Sequence, residues 1–220
     1  MTTNKTIKNR NIKKRNAAIN RKTTETKITG MLCLDGVGKS EIKTGIGFLD
    51  HMLTLFAFHG LFDLKIKVKG DLEVDMHHTN EDVAICLGQA FKKALGACKG
   101  IKRYGDSEVP MDHARAKVTV DVGNRFSYSG IKFRDGEPEP ALDSIVGKFN
   151  DENYSMELGN DFIETFAKSL QINMHVDIMA RSDMHHMLEA IFKAMGIALD
   201  RATEIDPRRK HVVPSTKGIM

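Results

Sequence analysis

Two short stretches of the sequence each combine a pair of adjacent histidines with a glutamate three residues after the second histidine. Four of the nine histidines lie in these stretches. The residues involved are His77, His78, Glu81, His185, His186 and Glu189. Imidazole and carboxylate groups without thiolates suit a divalent Mn, Fe, Co, Ni or Zn ion, and the ligand types alone do not choose among these metals. The repeated pattern therefore predicts metal binding.

One copy of the pattern cannot close a metal site by itself. Successive residues on a helix point about 100° apart, whereas residues three or four positions apart share a face. Adjacent histidines such as His77 and His78 therefore diverge, while Glu81 lies beside both rings. We expect two ions, each bound by one histidine from each copy and by a carboxylate. The competing interpretation is that these histidines only start helices and are satisfied by caps and water.

The residues around the motifs predict the same order of elements twice. In the first half, loose alternation with a turn at Asp35-Gly36 indicates a β-hairpin, and a helix, a strand and a helix follow. The segments are 48–60, 62–70 and 77–96 in the first half, then strands within 116–133, a helix at 161–170, a strand at 172–180 and a helix at 185–202.

An internal duplication explains this repetition. Aligning residues 51–57 with 161–167 and 76–82 with 184–190 requires a gap of only two residues. The predicted fold class is therefore α+β, with internally duplicated α/β halves that are each a small sheet packed on helices. We expect one compact domain, which consists of a basic tail at 1–14, a first half at 15–100 and a second half at 101–220.

The tripeptide Gly38-Lys39-Ser40 resembles part of a phosphate-binding P-loop. That motif needs a glycine five positions before Gly38, where Cys33 stands, and it needs a helix to follow. The next residues have the pattern of a strand instead. The sequence therefore argues against a nucleotide-binding loop.

Composition excludes several classes of protein. The 220 residues are 41% hydrophobic and 28% charged, which is ordinary for a globular protein. The basic excess lies largely in the first 22 residues, but no aromatic or basic face follows, so nucleic acid is not an expected partner. Three cysteines without C-x-x-C spacing suggest neither a disulfide framework nor a thiolate zinc site and fit a cytoplasmic location. No uninterrupted apolar run is long enough to predict a membrane span.

Several longer stretches resemble one enzyme family in order along the chain, from about Arg15 to the C-terminus. They are RNAAINRKTTETKI, GFLDHML, GDLEVDMHHTNEDVA, GIKRYG, MHHMLEAIFKAM and the terminal PSTKGIM. They are similar to imidazoleglycerol-phosphate dehydratase, an enzyme of histidine biosynthesis. The doubled H-H-x-x-E together with the closing P-S-T-K-G is a highly specific combination.

The resemblance implies an activity, a cofactor and an assembly. The activity is removal of water from D-erythro-imidazole-glycerol phosphate to give imidazole-acetol phosphate. The implied cofactor is two Mn²⁺ ions per active site, with other divalent transition metals as substitutes. The implied assembly is a 24-subunit homo-oligomer built from trimers, with active sites between subunits, and the implied fold is ribosomal protein S5 domain 2-like.

The resemblance also implies roles for individual residues. Glu25 matches the acid/base glutamate of the family. The residues that match substrate-holding groups, chiefly for the phosphate, are Arg103, Arg125, Lys193, Ser215 and Lys217, the last two in a C-terminal substrate-binding tail. The residues that match metal ligands are His51, His77, His78, Glu81, His185, His186 and Glu189.

Asp161 stands where the family has a further metal-binding histidine. In the repeat alignment it lies opposite His51, so the duplication and the resemblance both predict a ligand at this position. An aspartate oxygen can replace an imidazole nitrogen on a hard or borderline ion. Two other interpretations stay open: Asp161 caps a helix that begins there, with Glu164 completing a capping box, or His175 is the true ligand.

Other positions depart from the family pattern. They are Leu55, His113, Arg181 and Asp183, and the GNRF stretch at 123–126. These departures keep two alternative functions open. The first is a two-metal phosphohydrolase, and the second is a catalytically impaired metal-binding assembly protein of the same fold.

Overall fold

The computed structural model describes residues 14–138, 140–149 and 152–220. The predicted basic tail at 1–14 therefore lies outside the described residues except for Lys14. The strands are β1 (Asn16–Lys22), β2 (Lys27–Cys33), β3 (Ser40–Lys43), β4 (Asp63–Lys69), β5 (Tyr104–Met111), β6 (Ala114–Asp121), β7 (Ile131–Phe133), β8 (Val146–Phe149), β9 (Glu152–Ser155) and β10 (Asn173–Ala180). The helices are α1 (Gly47–His59), α2 (Met76–Leu95), α3 (Met156–Leu170) and α4 (Met184–Thr203).

Two four-stranded sheets have the same topology. The first has the order β1-β2-β4-β3 and the second the order β5-β6-β10-β7. In each sheet the first three strands pair antiparallel, and the last strand pairs parallel with its neighbour. The chain thus builds the same sheet twice, which confirms the predicted α+β fold with an internal duplication.

The four helices pack as two equivalent pairs. Helix α2 lies on β1 and β2 and packs against α3, while α4 lies on β5 and β6 and packs against α1. Glycines allow both helix pairs to approach closely: a Cβ atom at Gly196 would lie 2.5 Å from the carbonyl oxygen of Phe56, and one at Gly88 would lie 2.7 Å from that of Phe166. These glycines are equivalent in the repeat, as are the two phenylalanines, so the duplication extends to single contacts.

The hydrophobic core joins the two halves. Phe56 and Phe166 are fully buried and contact each other edge to face, with ring centroids 6.1 Å apart. Phe91 contacts both rings, at 5.8 Å and 5.5 Å. One continuous core therefore covers both halves. Within the described residues, no helix combines the length and the apolar character needed to cross a membrane.

The predicted helices and the strands at 62–70 and 172–180 are confirmed, but the predicted hairpin at Asp35-Gly36 is wrong. Strands β2 and β3 do not pair, because β4 lies between them. Asp63 at the start of β4 accepts hydrogen bonds from the amides of Val37 (2.9 Å) and Lys39 (3.0 Å). These bonds hold the β2–β3 connection against the start of β4, so that β3 pairs on the other side of β4 from β2. The strand that begins at Ser40 confirms that no P-loop helix follows Gly38. Strands β5, β8 and β9 were not predicted.

Candidate metal and substrate site

The N-terminal ends of the four helices meet at one end of the molecule. The ring of Phe48 on α1 stacks on Tyr154, just before α3, at 4.8 Å and contacts His185 on α4 at 5.3 Å. The buried Tyr154 hydroxyl donates to Asn80 of α2 over 2.8 Å. Asp75 and Ser155 cap α2 and α3. Because both histidine pairs start helices, this packing brings both pairs to the same end.

Three predicted metal ligands converge at the α1–α4 contact. Nε2 of His51 and Nε2 of His185 each lie 2.9 Å from Oε1 of Glu189. One ligand atom from each residue falls within 4.8 Å of the other two. His51 comes from the first half and the other two residues from the second. Two imidazole nitrogens and one carboxylate oxygen form a donor set that fits a divalent transition metal.

Glu189 is held as a carboxylate in this cluster. Burial raises the pKa of its carboxyl, but hydrogen bonds from His51, Lys193 and His185 outweigh burial and bring the pKa to about 2. Lys193 Nζ lies 2.6 Å from Oε2 of Glu189 and 3.1 Å from the sulfur of Met111. Lys193 was expected to hold substrate phosphate, and in the structure it lies beside the candidate metal ligands His51, His185 and Glu189.

The equivalent residues of the other helix pair approach each other more loosely. His77 Nδ1 on α2 lies 3.9 Å from Oδ2 of Asp161 on α3, and Glu81 follows one turn after His77. Helix α3 begins at Met156 and is capped by Ser155, so the interpretation of Asp161 as a helix cap is wrong. His175 is exposed on β10, outside this cluster.

Aspartates contact the second histidine of each pair. Asp71 Oδ2 lies 3.1 Å from Nδ1 of His78, and this hydrogen bond raises the pKa of His78. Because a carboxylate only accepts, His78 carries its proton on Nδ1 and leaves Nε2 for a ligand. His186 Nδ1 lies 2.5 Å from Oδ2 of Asp183, and its Nε2 lies 3.6 Å from Oδ2 of Asp112. The contacts of Asp71 with His78 and of Asp112 with His186 were not predicted, because they form only in the folded chain.

Glu25 lies at the tip of the turn between β1 and β2. This turn and Asp71 line a cavity of about 260 Å³. Asp71 also contacts His78, so this cavity lies next to a predicted metal ligand of the same chain.

Two other candidate substrate residues, Arg103 and Ser215, lie near the C-terminal end of α4. Arg103 forms an ion pair with Asp121 and donates to the carbonyl of Pro214 over 3.0 Å, beside a cavity of about 490 Å³ that Ser215 also lines. Lys217 in the same tail is exposed, as is Arg125.

The amide of Arg103 bonds the carbonyl of Ala202 near the end of α4. This point lies about 20 Å along the helix axis from Glu189, at about 1.5 Å per residue. Within the described residues of one chain, the part of the tail beside Arg103 therefore lies far from the His51–His185–Glu189 cluster.

The chain is similar to known proteins in both sequence and structure. The imidazoleglycerol-phosphate dehydratase (IGPD) family model matches residues 44–199. This chain belongs to that family. Enzymes of this name from Geobacillus kaustophilus and Thermoanaerobacter pseudethanolicus are 51% and 49% identical to it, and each match covers 94% of this chain and nearly all of the relative. The IGPD crystal structures from Staphylococcus aureus and Pyrococcus furiosus superpose with TM-scores of 0.70 and 0.71, at 30% and 31% identity, over 86% and 92% of this chain and all of theirs.

The departures from the IGPD family pattern have structural explanations in part. Arg181 pairs with Asp135, donates to the carbonyl of Pro138 over 2.9 Å and stacks 4.5 Å over the ring of Phe133, so it holds the loop after β7. Leu55 is half-buried and packs against the core, and His113 is exposed in the β5–β6 turn. None of these three lies within the His51–His185–Glu189 cluster.

Proposed function

We propose that this protein dehydrates D-erythro-imidazole-glycerol phosphate to imidazole-acetol phosphate in histidine biosynthesis, with two divalent ions per active site, Mn²⁺ first among them. The observation that carries the proposal is the convergence of His51, His185 and Glu189 in a chain of the imidazoleglycerol-phosphate dehydratase family. The bound ions would act as Lewis acids on the substrate imidazole and stabilise negative charge there.

The metal-binding residues divide into two equivalent groups. We assign one ion to His51, His185 and Glu189, and the other to Asp161, His77 and Glu81. His78 and His186 contact Asp71 and Asp183 through Nδ1, and we assign their Nε2 atoms as further ligands. In His186 this atom lies 3.6 Å from Asp112. The donor atoms fit Mn²⁺, which accepts both imidazole and carboxylate.

The remaining residues handle the proton and the phosphate. Glu25, beside His78, is positioned to accept and return protons at the reacting carbon. Arginine and lysine side chains bind phosphate through charge-assisted hydrogen bonds. The residues that we assign to this task are Arg103, Arg125, Lys193, Ser215 and Lys217.

The proposed active site forms between chains. Most of the phosphate-binding candidates lie about 20 Å from the metal cluster along α4, at about 1.5 Å per residue, so one chain cannot serve both ends of a small substrate. A symmetric homo-oligomer brings unlike surfaces of identical chains together. We propose the 24-subunit particle built from trimers, located in the cytoplasm.

The test is product analysis with purified protein, Mn²⁺ and imidazole-glycerol phosphate. We expect imidazole-acetol phosphate, detected as the ketone under alkaline conditions, and loss of turnover after chelation. Release of inorganic phosphate instead would identify a phosphohydrolase. Two ions per chain without any turnover would identify a metal-binding assembly protein.

A further inference from the structure

A buried aspartate beside Glu81 takes no part in the metal groups described above. The side chain of Asp82 on α2 is only 9% exposed. Its Oδ2 accepts a 2.5 Å hydrogen bond from the hydroxyl of Thr26, and its Oδ1 lies 2.9 Å from Nε and 2.7 Å from Nη2 of Arg21. Burying a carboxylate is unfavourable unless charge and hydrogen bonds compensate it, as they do here.

The partners of Asp82 belong to the hairpin that carries Glu25. Arg21 lies near the end of β1, and Thr26 ends the turn that joins β1 to β2. Within the turn, the hydroxyl of Thr23 accepts hydrogen bonds from the amides of Glu25 (3.2 Å) and Thr26 (2.9 Å). The turn that carries Glu25 is therefore stabilised by hydrogen bonds within it and is bound to α2 through Asp82.

The second half of the molecule lacks this attachment. The residue equivalent to Asp82 is Ala190, which is fully buried. The equivalent hairpin pairs Met111 with Ala114 and is joined by only two residues, whereas four residues join β1 to β2. A buried carboxylate thus stands at this helix position in the half whose turn carries Glu25, and an alanine stands there in the other half.

We propose that Asp82 is a positioning residue that, through Thr26, holds the Glu25 carboxylate in place for proton transfer. This inference rests on the proposed function. Proton transfer requires the carboxylate within about 3 Å of the proton that it takes. A misplacement of about 1 Å can reduce a rate by about a hundredfold. Because Asp82 follows Glu81 directly, α2 sets the position of a metal ligand and of the acid/base residue together.

The test compares Thr26→Val with Thr26→Ser. Valine keeps the shape of threonine and removes the hydroxyl that Asp82 accepts from, whereas serine keeps the hydroxyl. We expect Thr26→Val to lower kcat by about tenfold or more, with KM within about twofold and with full metal content, because only the alignment of Glu25 changes. Thr26→Ser should stay within about twofold of the original kcat. Equal kcat in folded Thr26→Val and Thr26→Ser would overturn the inference.

A double-mutant cycle with Glu25→Gln separates positioning from general destabilisation. If Thr26 acts through Glu25, Thr26→Val should change the residual single-turnover rate of Glu25→Gln by less than about twofold. The same loss in both backgrounds would show that the hydroxyl serves only the fold.

Amide exchange supplies a readout that needs no turnover. Exchange at Glu25 and Thr26 should be faster in Thr26→Val than in Thr26→Ser, because the turn loses its attachment to α2. Unchanged exchange would overturn the inference by itself. Absence of turnover in the unsubstituted protein would instead count against the proposed function.

Discussion

For single residues, the chemistry of the candidate ligands can be predicted from the sequence, whereas the positions of their partners cannot. The types and spacing of His77, His78 and Glu81 were sufficient to predict metal chemistry, because helix geometry determines which of them share a face. The partners of these residues could not be predicted in the same way. Asp71 precedes α2, and Asp112 lies in the β5–β6 turn. Asp82 lies on α2 itself, but its partners belong to the β1–β2 hairpin. The roles of these aspartates therefore depend on tertiary contacts that no local pattern contains.

The most specific prediction at this scale concerns Asp161. Its carboxylate lies 3.9 Å from His77 and takes the place that His51 occupies in the other helix pair. We therefore expect Asp161→Ala to lose about one ion per chain, because an oxygen ligand on a Mn²⁺-like ion is removed. Metal counting on purified protein by elemental analysis checks this number.

Two further variants control the prediction. His175→Ala should keep both ions, since His175 is exposed on the sheet and outside the cluster. Asp161→His restores the nitrogen ligand of the family pattern and should also keep both. Loss of an ion in His175→Ala, with both ions retained in Asp161→Ala, would show that the repeat alignment is misplaced.

At the scale of elements, periodicity was a reliable guide to the helices and a poor guide to strand pairing. Helices α1, α2, α3 and α4 were predicted because their apolar residues recur on one face, and hydrogen bonds within a helix are local. Strands β2 and β3 looked like a hairpin because both alternate around Asp35-Gly36. Their true neighbour, β4, begins at Asp63, 20 residues after β3 ends at Lys43, and sequence proximity does not reveal such a partner.

The close helix crossings lead to a prediction about stability. Gly196→Ala should lower the free energy of unfolding by about 1–3 kcal/mol, because its Cβ would lie 2.5 Å from a backbone oxygen of α1 and the helices must move apart. Gly159→Ala is the matched control, since its Cβ would meet the side-chain end of Leu188, which can rotate. Denaturant unfolding of both variants measures the difference. Equal losses would show that the backbone contact at Gly196 is no more costly to a methyl group than the side-chain contact at Gly159.

At the scale of the whole molecule, the two ends of α4 carry different parts of one proposed site. Glu25 lines a cavity together with Asp71, which contacts His78, and Lys217 lies next to Ser215 in the tail near the C-terminal end of α4. The sequence contains both the candidate metal ligands and the candidate phosphate-binding residues, but it does not show that one chain holds these two groups far apart. That separation follows only from the direction of α4.

Mixed assemblies test this arrangement. Glu25→Gln and Lys217→Ala chains should each be weakly active alone, but co-assembly should restore about a quarter of the sites, since half of the chains supply each intact part at random. Turnover of the co-expressed mixture measures the recovery. A chain carrying both substitutions is the control and should stay inactive. No recovery in a verified mixed particle would mean that each site uses one chain only.

The two equivalent helix pairs have a consequence for how such a molecule can arise. Phe56 meets Phe166 across the core, and Gly88 and Gly196 make the same kind of crossing in each pair. A surface that matches a second copy of itself is the property of an isologous dimer. A half-length ancestor could therefore have closed this core by self-association, with two identical ion sites. Fusion of two such copies would let each half diverge, which is consistent with His51 in one half and Asp161 at the equivalent position of the other.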